Sequence, residues 1–287
     1  EMRIRGNPPG RLPLVHLLPN ALTLGALCAG LTAIRFAVEG KFDAAVGLIL
    51  LAAVLDGLDG RLARRLGSES PVGAELDSLC DFVDFGVAPA MLVHLWGFGG
   101  AGGIGWIATL IYAVACALRL ARFNIGSREN PPGKPVRKTF SGVPSPAAAM
   151  LVMLPVFVAN LVPGAVPPPS LSAAWMIAVA VLMIVHLPTP ALGPVRVRPA
   201  QAPLLLLGAV ASGAALLTYP WLTLVTLDLG YLGLLAWGWR GRDIACRDRR
   251  DEWISARLKD PMPAGRRSTT APSVRSRPPG AAGPPPC

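Results

Sequence analysis

Between residues 56 and 81 the chain reads DGLDGRLARRLGSESPVGAELDSLCD. Asp56 and Asp59 are three apart and Asp77 and Asp81 four apart, so on helices each pair shares one face. The connecting stretch, RLGSESPVG, is short, which predicts antiparallel neighbours whose acidic pairs can face each other. Four converging carboxylates repel one another unless cations neutralise them. An all-oxygen ligand set suits the hard ions Mg²⁺, Mn²⁺ or Ca²⁺ rather than zinc. Two such ions, about 3.5–4 Å apart, could hold the attacking and leaving oxygens of a phosphoryl-type transfer.

The residues between the aspartates fit that chemistry. Gly60 follows Asp59 and would let a ligand approach the backbone. Ala63 keeps the same face shallow, and Arg64 can donate a fork of hydrogen bonds to a phosphate. Gly73 stands four residues before Asp77, on its face of the next helix. Any one of these aspartates alone would be a helix cap at the wet interface. Four together, on segments greasy enough for a bilayer, point to function, because a mid-membrane carboxylate costs about 2.5–3.5 kcal/mol on insertion scales.

The elements that must position them are membrane helices. The 287 residues are 52% hydrophobic and 15% charged, with a mean hydropathy of +0.49. Eight apolar stretches are long enough to cross a bilayer. They are 17–37, 42–62, 76–96, 105–123, 144–162, 171–187, 202–218 and 221–239. The first lacks a convincing cleavage site and is followed by seven more, so it reads as a span and not a signal peptide. Of the 27 Lys and Arg, only Arg35 and Lys41 fall at an external end if the N-terminus is inside. The expected fold is therefore an all-α polytopic bundle with both termini cytoplasmic. Residues 1–16 form an N-terminal segment, 17–239 the membrane domain, 240–264 a charged juxtamembrane segment, and 265–287 a Pro-, Gly- and Arg-rich disordered tail.

The net charge of +10 reads as a cytoplasmic rim facing anionic lipid, with no nucleic-acid partner. Lys134, Arg137 and Lys138 belong to that rim as lipid head-group contacts. Cys28, Cys80, Cys116, Cys246 and Cys287 have no metal or disulfide spacing, and His16, His94 and His186 are isolated.

Written as a pattern, Asp56, Asp59, Gly60, Ala63, Arg64, Gly73, Asp77 and Asp81 give D-x2-D-G-x2-A-R-x8-G-x3-D-x3-D. This resembles the signature of the CDP-alcohol phosphatidyltransferases. The resemblance implies an integral membrane enzyme with a six-helix core, usually a homodimer. Its aspartates hold two divalent metals on the diphosphate of a CDP-linked lipid, here CDP-diacylglycerol. Asp81 would also be the base that activates an alcohol, which attacks the lipid-side phosphorus and displaces CMP. Gly60, Ala63, Arg64 and Gly73 would contact the donor. Asn20 and Thr23, near the start of the first span, could line the nucleotide pocket, or Pro19 and Asn20 could mark an irregular helix start.

LPNALTLGALCAGLTAI, ELDSLCDFVDFGVAPA, ALRLARFN and FSGVPSPAAA look like the corresponding stretches of the serine-using bacterial branch of that family, over residues 12 to 190. That likeness implies L-serine as acceptor and a bacterial inner membrane with the site facing the cytoplasm. A serine site needs a cation for the carboxylate, for which Arg119 and Arg122, with Asn124 beside them, are candidates. The same arginines would suit glycerol 3-phosphate, or could serve as charges at a helix C-terminus. Acceptors such as inositol or choline stay open on chemistry alone. Asp84 departs from the pattern, standing where similar enzymes would carry a small uncharged polar residue; it could receive the serine ammonium. A divalent-cation transporter is the competing class, but it would more naturally show repeated halves with broken helices, and no repeat is visible.

Overall fold

The computed structural model describes residues 18–68, 70–99, 103–128, 142–185 and 202–237. The histidines and basic residues His16, His186, Lys134, Arg137 and Lys138, and the whole of 240–287, lie outside them. All regular structure among the described residues is helical, and a helix forms at each of the eight apolar stretches. In chain order these are α1 (Leu18–Val38), α2 (Phe42–Leu66), α3 (Pro71–Asp81), a π-helical segment (Phe82–Val87), α4 (Ala88–Phe98), α5 (Ile104–Arg128), α6 (Ser145–Leu161), α7 (Pro169–Ile184), α8 (Ala202–Thr218) and α9 (Pro220–Trp237). The third apolar stretch is one 28-residue rod, Pro71–Phe98, made of α3, the π segment and α4.

Among the described residues, four helices are long and apolar enough to cross a membrane: Leu18–Val38, Pro71–Phe98, Ile104–Gly126 and Pro220–Trp237. Their outward faces are greasy. On α5, Trp106, Ile107, Leu110, Val114 and Leu118 are exposed, whereas Ala108, Tyr112, Ala115 and Cys116 face inward and are buried. Such an inverted surface is stable only against lipid, and the chain is an integral membrane protein.

Small residues set the closest packing. Ala26, Ala29, Gly30, Ala33 and Ala37 line the buried face of α1, and Ala26 and Ala29 cluster with Ala52 of α2, flanked by Leu48 and Leu55. Without large side chains between them the two backbones can approach closely, which matters where lipid removes the hydrophobic drive for association. α1 also touches α3, the π segment and α4, so it is the post around which the acidic hairpin is built.

The turn between α1 and α2 carries the two basic residues that the charge pattern leaves outside. Glu39 binds both: Arg35 Nε at 2.9 Å and Lys41 Nζ at 2.8 Å. Lys41, and after it Arg35, holds the Glu39 carboxyl below its ordinary range. The exceptions to the charge rule thus add one net charge to that turn between them, because Glu39 offsets the other.

The acidic hairpin is framed by paired end signals. Gly67 closes α2 in the left-handed conformation (φ 60), with its N–H on the Ala63 carbonyl. Ser70 opens α3, accepting from the Gly73 N–H at 3.0 Å, and Pro71 begins the helix. At the start of α6, Gly142 has φ 82, and a Cβ there would collide with the Met183 carbonyl of α7, beside the Val143 N–H bond to Leu182.

Gly142→Ala should therefore lower the unfolding midpoint of the detergent-solubilised protein, by an amount equivalent to about 2 kcal/mol or more. Gly47→Ala, at an open position within α2, should be neutral or stabilise by about 0.5–1 kcal/mol. Equal behaviour of the two variants would show that the α6–α7 crossing is not held at Gly142.

Candidate active site

The hairpin delivers its carboxylates to one place. Asp56, Asp59 and Asp77 each offer an oxygen, and the three lie within 4.8 Å of one another. Asp81 is not in that tight group but lies within side-chain hydrogen-bonding reach of Asp56. The facing of the two acidic pairs expected from their spacing is present, with α1 closing the third side. Thr23 of α1 sets Asp59: its hydroxyl stands 2.5 Å from Asp59 Oδ2 and 3.1 Å from the Pro19 carbonyl. Asp59 is only 3% exposed, and its Oδ1 has no partner.

A buried carboxylate oxygen aimed into a cluster of like groups calls for a cation. The donor set is all oxygen, so Asp56, Asp59 and Asp77, with Asp81 beside them, could hold hard divalent ions. The ion pairs of Glu39 lie at the turn between α1 and α2 and involve none of these carboxylates.

Against this cluster lies a cavity of about 270 Å³. Its walls include Asn20, Thr23, Gly60, Ala63, Arg64 and Gly73, together with Asp59 and Asp77. Every residue the sequence suggested for the donor is there. Gly73 is needed for closeness: a Cβ would stand 3.0 Å from Ser70 Oγ and 3.3 Å from Asn20 Oδ1. At Gly60 a Cβ would meet nothing nearer than Arg64 Nη1 at 3.7 Å, so the space it leaves belongs to the cavity. Asn20 and Thr23 stand one turn apart in α1, with Pro19 and Asn20 in its first described turn.

The acceptor-side candidates separate. Arg119 is partly buried, lies within electrostatic range of Asp81, and donates from Nη1 to the buried Ser145 of α6 at 2.7 Å. Its Nε has no partner. Arg122 is exposed and donates to the Ile184 carbonyl at the end of α7 at 3.2 Å, a helix C-terminus contact. Asn124 ties α5 to α3 through Ser78 at 3.0 Å. Asp84 is 1% exposed, in the π segment, within electrostatic range of Asp56 and Asp81. Its Oδ1 is unpartnered, and its carboxyl occupies the space where a Cβ on Gly30 would fall.

The spacing argument did not single out Ser145, Asp228 and Tyr231. Ser145 could have been noticed inside FSGVPSPAAA. Asp228, 3% exposed, is a lone carboxylate in an apolar span, which is itself a signal. Tyr231 carried none. His94 packs against Phe98 and Trp106 at ring distances of 5.7 and 5.5 Å, and Cys28, Cys80 and Cys116 are free thiols.

Comparison with known proteins agrees with this geometry. The family model described as CDP-alcohol phosphatidyltransferase matches residues 16–186. A protein of Mycobacterium leprae named CDP-diacylglycerol--serine O-phosphatidyltransferase is 38% identical over 219 residues, covering 76% of this chain and 73% of the relative. A protein of the same name from Mycobacterium tuberculosis is 36% identical over 229 residues, covering 79% and 80%. One from Helicobacter pylori is 38% identical over 146 residues, covering 51% and 60%. The matched segment contains α1 to α7 and every carboxylate of the cluster, and the chain belongs to the CDP-alcohol phosphatidyltransferase family.

Proposed function

We propose that this protein transfers the phosphatidyl group of CDP-diacylglycerol to L-serine, giving phosphatidylserine and CMP. The observation that carries the reading is the convergence of Asp56, Asp59 and Asp77 beside a cavity lined by the remaining signature residues. The relatives named for serine supply the acceptor.

Asp56, Asp59, Asp77 and Asp81 would hold two divalent ions, Mg²⁺ or Mn²⁺, which supply the positive charge that the donor's diphosphate needs. Arg64 and the open backbone at Gly60 and Ala63 receive the cytidine diphosphate, with Asn20, Thr23 and Gly73 shaping the wall beside them. Arg119 takes the serine carboxylate, with Arg122 and Asn124 fixing the end of α5 around it. Asp84 takes the ammonium. Asp81, within electrostatic range of both Arg119 and Asp84, receives the serine hydroxyl. It accepts the hydroxyl proton as the oxygen attacks the lipid-side phosphorus, the bond to the CMP oxygen breaks, and CMP departs with its negative charge met by Arg64.

The charge pattern supports a site opening to the cytoplasm of a bacterial inner membrane, with both termini and the basic rim on that side and eight spans in all. A soluble acceptor enters and CMP leaves on that side, while the acyl chains stay in lipid. A homodimer is the working unit that goes with the family reading.

In CDP-diacylglycerol mixed micelles with Mg²⁺ or Mn²⁺, CMP release should require serine, stop on chelation and resume when metal is restored. Asp81→Asn should lower turnover by about 10²–10⁴-fold. Release driven by glycerol 3-phosphate, inositol or choline instead would keep the family and reject serine. Thr23→Val, which removes the hydroxyl at Asp59, should raise the metal concentration for half-maximal activity by about 10–100-fold; an unchanged metal titration would detach Thr23 from the metal site. Asp84→Asn should raise the KM for serine while leaving that for the donor alone, and an unchanged serine KM would remove Asp84 from the acceptor pocket.

A further inference from the structure

Two residues on different helices, Arg119 and Tyr231, each carry a buried hydrogen-bonding atom with no partner among the described residues. Arg119 Nε is buried and unbonded, although Nη1 of the same guanidinium is fixed on Ser145. The Tyr231 hydroxyl, on α9, is likewise buried and unbonded. The two residues are within electrostatic range of each other. Asp228, one turn earlier on the same face of α9, is 3% exposed and its Oδ2 is also without a partner, so this face is turned into the protein and not to lipid.

Orphaned polar atoms are expensive in an apolar medium and normally satisfy each other when close. A guanidinium N–H can only donate. The phenol could accept from it, yet no such bond is made. Two donors left open on residues within electrostatic range of each other can both be met by an anionic oxygen, and Arg119 is also within electrostatic range of Asp81.

We propose that Tyr231 is a substrate-positioning residue whose hydroxyl, together with Arg119, binds the carboxylate of the amino-acid acceptor, so that α9 closes the acceptor pocket. This rests on the serine reading above. It extends the site past residue 186, where the family match ends. In this arrangement Ser145 fixes one edge of the guanidinium, leaving Nε free for the carboxylate. Tyr231 supplies the second donor from the opposite wall, and the hydroxyl end of the acceptor is directed at Asp81.

The test is steady-state kinetics of the full chain with Tyr231→Phe, which keeps the ring and removes only the hydroxyl. The KM for L-serine should rise about tenfold or more, the usual effect of losing a hydrogen bond to a charged group. The kcat and the KM for CDP-diacylglycerol should stay close to wild type, and the thermal unfolding midpoint should not move. An unchanged serine KM would overturn the proposal and leave a water molecule between the two donors. A fall in kcat with a matching rise in donor KM would overturn it in favour of a purely structural role for Tyr231. Failure of the unmodified protein to release CMP with serine would instead sink the serine reading itself, a result separable from any effect of the substitution.

Discussion

Three carboxylates with oxygens within 4.8 Å repel one another, and the remaining architecture can be understood as what holds them together. Two unit charges at such a distance interact by about 4 kcal/mol at an effective dielectric of 20. No ion pair to these three carboxylates relieves this among the described residues. Rigid packing keeps the three carboxyl groups side by side, ready to be neutralised by positive charge that arrives with the substrate complex. Packing of that kind is what α1 supplies. Its alanine and glycine face lies close against α2, and its Thr23 hydroxyl fixes the most buried of the three carboxylates, Asp59.

The same economy governs the polar atoms elsewhere in the bundle. Backbone carbonyls that helix geometry leaves open receive side-chain donors: Trp175 on Leu151 at 2.7 Å, Tyr112 on Phe85 at 3.0 Å, and Arg122 on Ile184. In a lipid environment such groups cannot turn to water. Against that background the unsatisfied atoms of Asp59, Asp84 and Arg119 stand out, because they gather on the side of the acidic cluster.

Much of this was legible in the sequence because its information was local. Helix periodicity put Asp56 with Asp59 and Asp77 with Asp81, and the short turn made the pairs face each other. Greasy runs of bilayer length located the helices of the described residues. The donor wall was legible too, since Gly60, Ala63, Arg64 and Gly73 sit within a turn or so of the aspartates. What spacing could not separate was Arg119 from Arg122. They are three apart on one helix, yet one guanidinium bonds Ser145 of α6 within electrostatic range of Asp81, and the other caps α7. That distinction depends on where α6 and α7 pack, which is long-range information. Tyr231 is further out of reach: a tyrosine in an apolar helix is ordinary until the opposite wall is known.

The π segment shows how these long-range contacts bind the two halves of the site. In a straight α-helix Asp77, Asp81 and Asp84 would climb one face at intervals of four and three. The π segment starts immediately after Asp81, at Phe82, and turns the residues beyond it by widening the helix. Asp84 is thereby lodged against Gly30 of α1, where only a glycine leaves room for its carboxyl. The helix at this point offers the Phe85 carbonyl to Tyr112, whose ring is fully buried in α5. Arg119 lies seven residues, or two turns, further along that same helix. The one buried hydrogen bond that accommodates the π segment therefore also sets the height of Arg119 against Asp81, and the acceptor side of the site is registered to the acidic cluster through it.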